Sequence, residues 1–121
     1  MHEASVTEAL LRLVLEKAAE VGARKVTKVF LVVGDLTGYV GDSIQFYFDR
    51  YSRGTVAEGA EIAVSRVESR MRCLSCGELF TRVRFSFSCP TCGGEGEATK
   101  IGTEFFIESM EIESEGTPSH E

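Results

Sequence analysis

The sequence predicts an α+β fold: a small domain of two helices and a mixed β-sheet, with an inserted four-cysteine zinc-ribbon module. Three observations predict it. All four cysteines of the 121-residue chain fall in two C-x-x-C pairs, Cys73/Cys76 and Cys89/Cys92, with twelve residues between the pairs. Two stretches, beginning near Ser5 and Asp42, carry apolar residues at helical spacing. Three others, at 26–33, 60–72 and 103–112, are β-branched or alternate apolar with polar.

Ser5 and Glu8 form an S-x-x-E capping box, worth about 1 kcal/mol, which places a helix start at Ser5. Val6, Ala9, Leu10, Leu13, Val14, Ala18 and Val21 supply its apolar positions, and Gly22 stops it. Val26–Val33 reads as a buried strand, followed by a loop at Gly34-Asp35 and Gly38. Asp42 caps a second helix whose stripe is Ile44, Tyr47, Phe48 and Tyr51, a core-packing face, and Gly54 ends it. Ala60–Arg72 reads as one strand running straight into Cys73, and Thr103–Ile112 as another. The simplest closure pairs these two antiparallel, with the cysteine segment at the end of their hairpin. The expected organisation is therefore a discontinuous domain of residues 1–70 with 99–112, a module at 71–98, and a disordered acidic tail at 113–121.

The cysteine spacing is that of a closed four-thiolate zinc site. Glycine follows each pair, at Gly77 and Gly93, and supplies the positive φ that such tight turns need. Residues 71–98 hold few large apolar groups, so a structural zinc, worth roughly 10–16 kcal/mol in small peptides, would carry the folding of that segment. Rubredoxin-type iron uses the same ligands, and spacing alone does not separate the two. Paired disulfides and a thioredoxin-like dithiol fit poorly, because no export signal is visible and the pairs lie at glycine turns.

Charge narrows the function classes. The net charge is −6, concentrated at the C-terminal end: residues 99–121 carry one basic and six acidic groups, whereas 71–98 carry three of each. A zinc ribbon on nucleic acid needs a basic face against phosphates, so no nucleic-acid partner is expected, and no membrane partner either. No nucleophile–base pair or phosphate-cradling glycine loop is visible, and a four-thiolate site leaves no position for an activated water, so no enzyme activity is expected.

The histidines are His2 and His120. A histidine at position 2 can chelate: the Met1 amine, the His2 amide nitrogen and the His2 imidazole close fused rings on one ion, and the Glu3 amide or carboxylate adds a fourth donor. Such nitrogen-rich ligation suits nickel(II) or copper(II).

The opening Met1-His2-Glu3, the Val32-Val33-Gly34-Asp35-Leu36 segment, Gly54-Thr55-x-x-Glu58-Gly59-Ala60 and the paired C-x-x-C motifs together resemble the HypA/HybF family of hydrogenase nickel-incorporation proteins over roughly residues 1–112. The resemblance implies a cytoplasmic nickel metallochaperone. Its transient nickel(II) would be held by His2 with Met1 and Glu3, and its structural zinc by Cys73, Cys76, Cys89 and Cys92. It also implies partners: a nickel-handling maturation GTPase and the large subunit of a [NiFe] hydrogenase, with urease maturation in some members, and it allows a homodimer. Relatives with further histidines near the zinc module differ from this chain, which has none between Glu3 and Ser119. The rival reading is a zinc-ribbon interaction module for protein or nucleic acid, without transferable nickel.

Overall fold

The computed structural model describes residues 2–82 and 86–114. The order is α1 (His2–Glu20), β1 (Ala23–Gly34), a 3-10 turn (Asp35–Thr37), α2 (Gly41–Tyr51), β2 (Glu61–Val67), β3 (Met71–Cys73), β4 (Leu79–Phe80), β5 (Gly96–Ala98) and β6 (Phe105–Ser114). The strands form two sheets, ordered β2-β1-β6 and β4-β3-β5. The chain divides into two compact units. One comprises the described residues of Met1–Leu31, Tyr39–Val64 and Ile107–Glu121; the other comprises those of Val32–Gly38 and Ser65–Phe106. Of the expected tail at 113–121, Glu113 and Ser114 continue β6, and the rest lies outside the described residues.

The centre of the first sheet is β1, whereas the simplest closure from sequence pairs β2 directly with β6. The reason is burial. Val26, Val29, Leu31 and Val33 of β1 are all fully buried, and a strand buried so heavily is most stable with neighbours on both edges. Thr27 Oγ1 donates to the Glu111 carbonyl, and the Gly34 N–H donates to the Glu104 carbonyl, so β6 recedes as β1 advances.

Helix α1 starts at His2, three residues before the predicted cap, which puts Ser5 inside the helix. Its buried face is Thr7, Leu10, Leu11, Val14 and Ala18, while Leu13 and Val21 are exposed. Thr7 takes a core position because its hydroxyl donates to the Glu3 carbonyl one turn back, leaving a methyl to pack. Each fully buried leucine or valine here stabilises by about 1.5–3 kcal/mol. Gly22 (φ 68°) ends the helix as expected.

Helix α2 buries Ile44 and Phe48. Tyr51 is exposed, so only half of the predicted aromatic stripe is core. The N-cap residue is Val40, which makes no side-chain cap; Asp42 sits in the first turn, where its charge faces the positive helix end. Gln45 joins α2 to the start of β2: its amide nitrogen donates to the Ala60 carbonyl (3.1 Å), and its carbonyl accepts from the Ile62 N–H (2.7 Å). One side chain thus satisfies two strand-edge groups.

The predicted long strand at 60–72 is two strands in two sheets, β2 and β3, separated by Glu68–Arg70. β3 must leave the first sheet because its own partners, β4 and β5, flank the cysteine turns. Beside this break the chain is tightly packed. The Leu36 N–H donates to the Gly102 carbonyl (2.8 Å), and Arg66 pairs with Asp35 through both Nε and Nη2 at 3.1 Å. A Cβ at Gly34 would collide with the Gly102 carbonyl.

Gly34→Ala should therefore destabilise the fold by about 3 kcal/mol or more, since backbone rather than a flexible side chain must yield. The midpoint of urea unfolding of the zinc-loaded protein would show it. Ser52→Ala should behave oppositely. The Ser52 hydroxyl is buried without a partner, so its removal should be neutral or raise the same midpoint slightly.

Candidate metal centre

Two turns of the same design converge. In the first, the Gly77 N–H donates to the Cys73 carbonyl (3.0 Å), and the Cys73 N–H to the Glu78 carbonyl (2.9 Å). In the second, the Gly93 N–H donates to the Cys89 carbonyl (2.8 Å), and the Cys89 N–H to the Gly94 carbonyl (2.7 Å). Gly77 and Gly93 hold φ of 79° and 78°, the left-handed geometry predicted from their place after each pair. The two turns are tied together by the Leu74 N–H on the Glu95 carbonyl (2.9 Å), and the Gly96 N–H on the Phe87 carbonyl (2.8 Å) closes the base of the second. β3 pairs antiparallel with both β4 and β5 beneath them.

All four sulfurs lie within 4.8 Å of one another. Cys73 and Cys92 Sγ are 3.4 Å apart, and Cys76 and Cys89 Sγ 3.8 Å. A regular tetrahedron with Zn–S bonds of about 2.3 Å has sulfurs about 3.8 Å apart. The donor set therefore fits zinc and closes around it. Cys73 and Cys89 are buried and pack with Phe80 and Met71 in a small core, while Cys76 and Cys92 face solvent. Gly94 lets the second turn close: a Cβ there would stand 2.7 Å from Ser75 Oγ and 3.0 Å from Cys73 Sγ.

The cage sets thiol acidity before any metal enters. The Cys76 N–H on Cys73 Sγ, joined by the Ser75 N–H and the Cys92 and Cys76 thiols, outweighs desolvation and lowers the Cys73 thiol to about 6. At Cys76 the Glu78 N–H pulls downward, but desolvation and the neighbouring Cys73, Cys92 and Cys89 sulfurs push it up to about 12. Cys89 is lowered, chiefly by the Cys92 N–H. Cys92 is raised: the Gly94 N–H is outweighed by the crowding sulfurs, Cys73 first.

The predicted N-terminal site is placed in part. Met1 and the His2 side chain lie outside what is described. His2 opens α1, so its amide and that of Glu3 belong to the first four N–H groups, which have no helix carbonyl to bond. The Glu3 carboxylate accepts a hydrogen bond from the Val40 N–H (2.7 Å), fastening the terminus to the start of α2. Sequence reasoning missed Val40. A backbone donor 37 positions away leaves no trace in residue type.

A family profile described as hydrogenase/urease nickel incorporation, metallochaperone, HypA matches residues 1–112. Among similar proteins, a hydrogenase maturation factor HypA of Caldanaerobacter subterraneus subsp. tengcongensis is 47% identical over 114 residues, 93% of this chain and all of that protein. A namesake from Dehalococcoides mccartyi is 40% identical over 98% of this chain and all of its own. Two solved structures share the fold. A solution structure of HypA protein has a TM-score of 0.70 at 23% identity, covering 95% of this chain and 98% of that one. The nickel metallochaperone HypA from Helicobacter pylori has a TM-score of 0.63 at 22% identity, covering 93% and 98%.

Zinc must displace the protons that remain on Cys76 and Cys92, whereas Cys73 is already largely thiolate at neutral pH. With Cys73 already deprotonated, binding to the metal-free protein at pH 7 should release fewer than four protons per zinc. As pH falls through about 6, the Cys73 thiolate is protonated too, so release rises and affinity falls. Calorimetry in buffers of different ionisation heat measures this count; a release of about four at pH 7 would contradict the thiolate assignment.

Proposed function

This chain belongs to the HypA family of hydrogenase/urease nickel-incorporation proteins, and from that premise we propose how its residues carry the metal. It is a nickel metallochaperone of hydrogenase maturation, with a four-cysteine site suited to structural zinc. A zinc ribbon without transferable nickel is the less favoured reading, because the family match extends over both metal regions.

Nickel(II) is held at the terminus by His2, through its amide nitrogen and imidazole, with the Met1 amine and Glu3 beside it. The observation that supports this arrangement is the Glu3–Val40 hydrogen bond. It engages one carboxylate oxygen, Oε2, and turns the side chain toward α2, which favours the Glu3 amide as that residue's donor. A terminal site with few protein ligands can swap them one at a time for those of a partner. A closed thiolate cage cannot, which divides the labour: the cysteines keep their zinc and the terminus exchanges its nickel. The partners on this reading are a nickel-handling GTPase and the large subunit of a [NiFe] hydrogenase, with urease maturation as a related use. The chain acts in the cytoplasm as a carrier rather than a catalyst. No helix among the described residues is long and apolar enough to cross a membrane.

Nickel titration of zinc-loaded protein with a free amino terminus should show one site that His2→Ala abolishes while zinc stays bound. Retained nickel affinity in a folded His2→Ala protein would overturn the terminal assignment. The two Glu3 variants separate ligand from tether. Glu3→Gln keeps an oxygen for the Val40 N–H and should bind nickel nearly as wild type does. Glu3→Ala should lose about tenfold, the low end for residues that orient a metal site. Equal losses in both would make the carboxylate a ligand. Nickel affinity should also fall as pH drops, because the imidazole and amine bind the metal only in their deprotonated forms.

A further inference from the structure

Beside the thiolate cage lies a recess of about 350 Å³, lined by Leu36, Arg70, Met71, Arg82, Phe87 and Thr99 among others. All of these belong to the unit built from Val32–Gly38 and Ser65–Phe106. Two apolar residues of its wall reach solvent: Leu36 is 58% exposed and Phe87 51%. Its charged lining residues are Arg70 and Arg82, with no carboxylate among them, in a chain whose net charge is −6.

We propose that this recess docks an acidic segment of a partner protein, with one apolar side chain of that segment seated between Leu36 and Phe87. The Arg82 guanidinium lies 4.8 Å from the centroid of the Phe87 ring. A guanidinium stacked on an aromatic face is weakly hydrated and keeps a planar fork that suits a carboxylate. The volume is at the small end of binding pockets, about 300–1,000 Å³, which suits an anchor side chain rather than a whole cofactor. Two cations are too few for a nucleic-acid track, whose affinity grows with each phosphate neutralised. A second copy of the chain is a poorer occupant. Its longest described acidic segment, β6, already engages Glu113 with Arg24 and the Glu111 carbonyl with Thr27.

The floor gives the recess a link to the metal. Met71 packs against the Cys73, Phe80 and Cys89 cluster, and β3, which carries it, pairs with β4 and β5 in the cysteine module. Zinc removal should loosen that floor, so docking is zinc-dependent. On this view the cage shapes a recognition surface while the terminus handles nickel.

The probe is a short fluorescein-labelled peptide of aspartates and glutamates around a central phenylalanine, read by anisotropy against the full zinc-loaded chain. A peptide with lysine in place of each acid is the control. Saturable binding of the acidic probe alone is expected, weakened by added salt and lost on zinc chelation. The Arg70→Glu/Arg82→Glu variant should weaken it at least about tenfold, with zinc content and nickel titration unchanged. Leu36→Ser, outside the cysteine module, should weaken it as well and stands in if the double variant loses zinc. No saturable binding, equal affinity for the lysine peptide, or no effect of charge reversal would overturn the proposal. So would self-association that the acidic peptide displaces, which would make a second copy the occupant. Because nickel is titrated on the same samples, failure here is distinct from failure of the terminal nickel site.

Discussion

Four sulfurs held within 4.8 Å of one another are the constraint from which much of the chain follows. Thiolates so close repel, and without a cation between them they can coexist only by sharing protons. The opposed shifts at Cys73 and Cys76 express that conflict. A divalent ion resolves it, and the resolution organises the small strands around it: β3, β4 and β5 are only two or three residues each. Strands so short are marginal alone. They persist because the turns between them are pinned at the sulfurs. Phe80 and Met71 complete a core too small to stand unaided.

The first sheet is stabilised differently. Its centre is a twelve-residue strand with Val26, Val29, Leu31 and Val33 fully buried, and the helices bury Leu10, Val14, Ile44 and Phe48. No metal is needed for such a core, only apolar area. The contrast suits the two metals. Zinc is structural where hydrophobic burial is scarce. On the proposed reading, nickel held at the edge of the other unit could leave without unfolding its core.

The chemistry proposed for the terminus would depend on its being almost, but not fully, part of the fold. α1 starts early enough that the His2 and Glu3 amides are helix-end donors, and a single carboxylate contact to Val40 ties this turn to α2. A looser terminus would lose more entropy when it wraps a metal; a more buried one could not present the metal to a partner. One charge-assisted hydrogen bond lies between these extremes.

Much of this was readable in the residues. The cysteine spacing and its glycines gave the metal cage and the handedness of both turns, because a C-x-x-C chelate needs positive φ at one known position. Gly22 and the apolar run of β1 placed the end of α1 and the buried strand. What sequence could not decide were choices among equally local options. Whether 60–72 is one strand or two depends on partners at 79–80 and 96–98. Whether β1 or β6 lies beside β2 depends on total burial. Ser5 met every local rule for a cap, yet the helix begins at His2. Thr7 and Leu11 entered the core ahead of Leu13, because the face a helix buries is set by what it packs against. The Val40 contact and the arginine-lined recess belong to the same class. They arise from groups distant in sequence and adjacent in space, and residue type alone carries no record of such proximity.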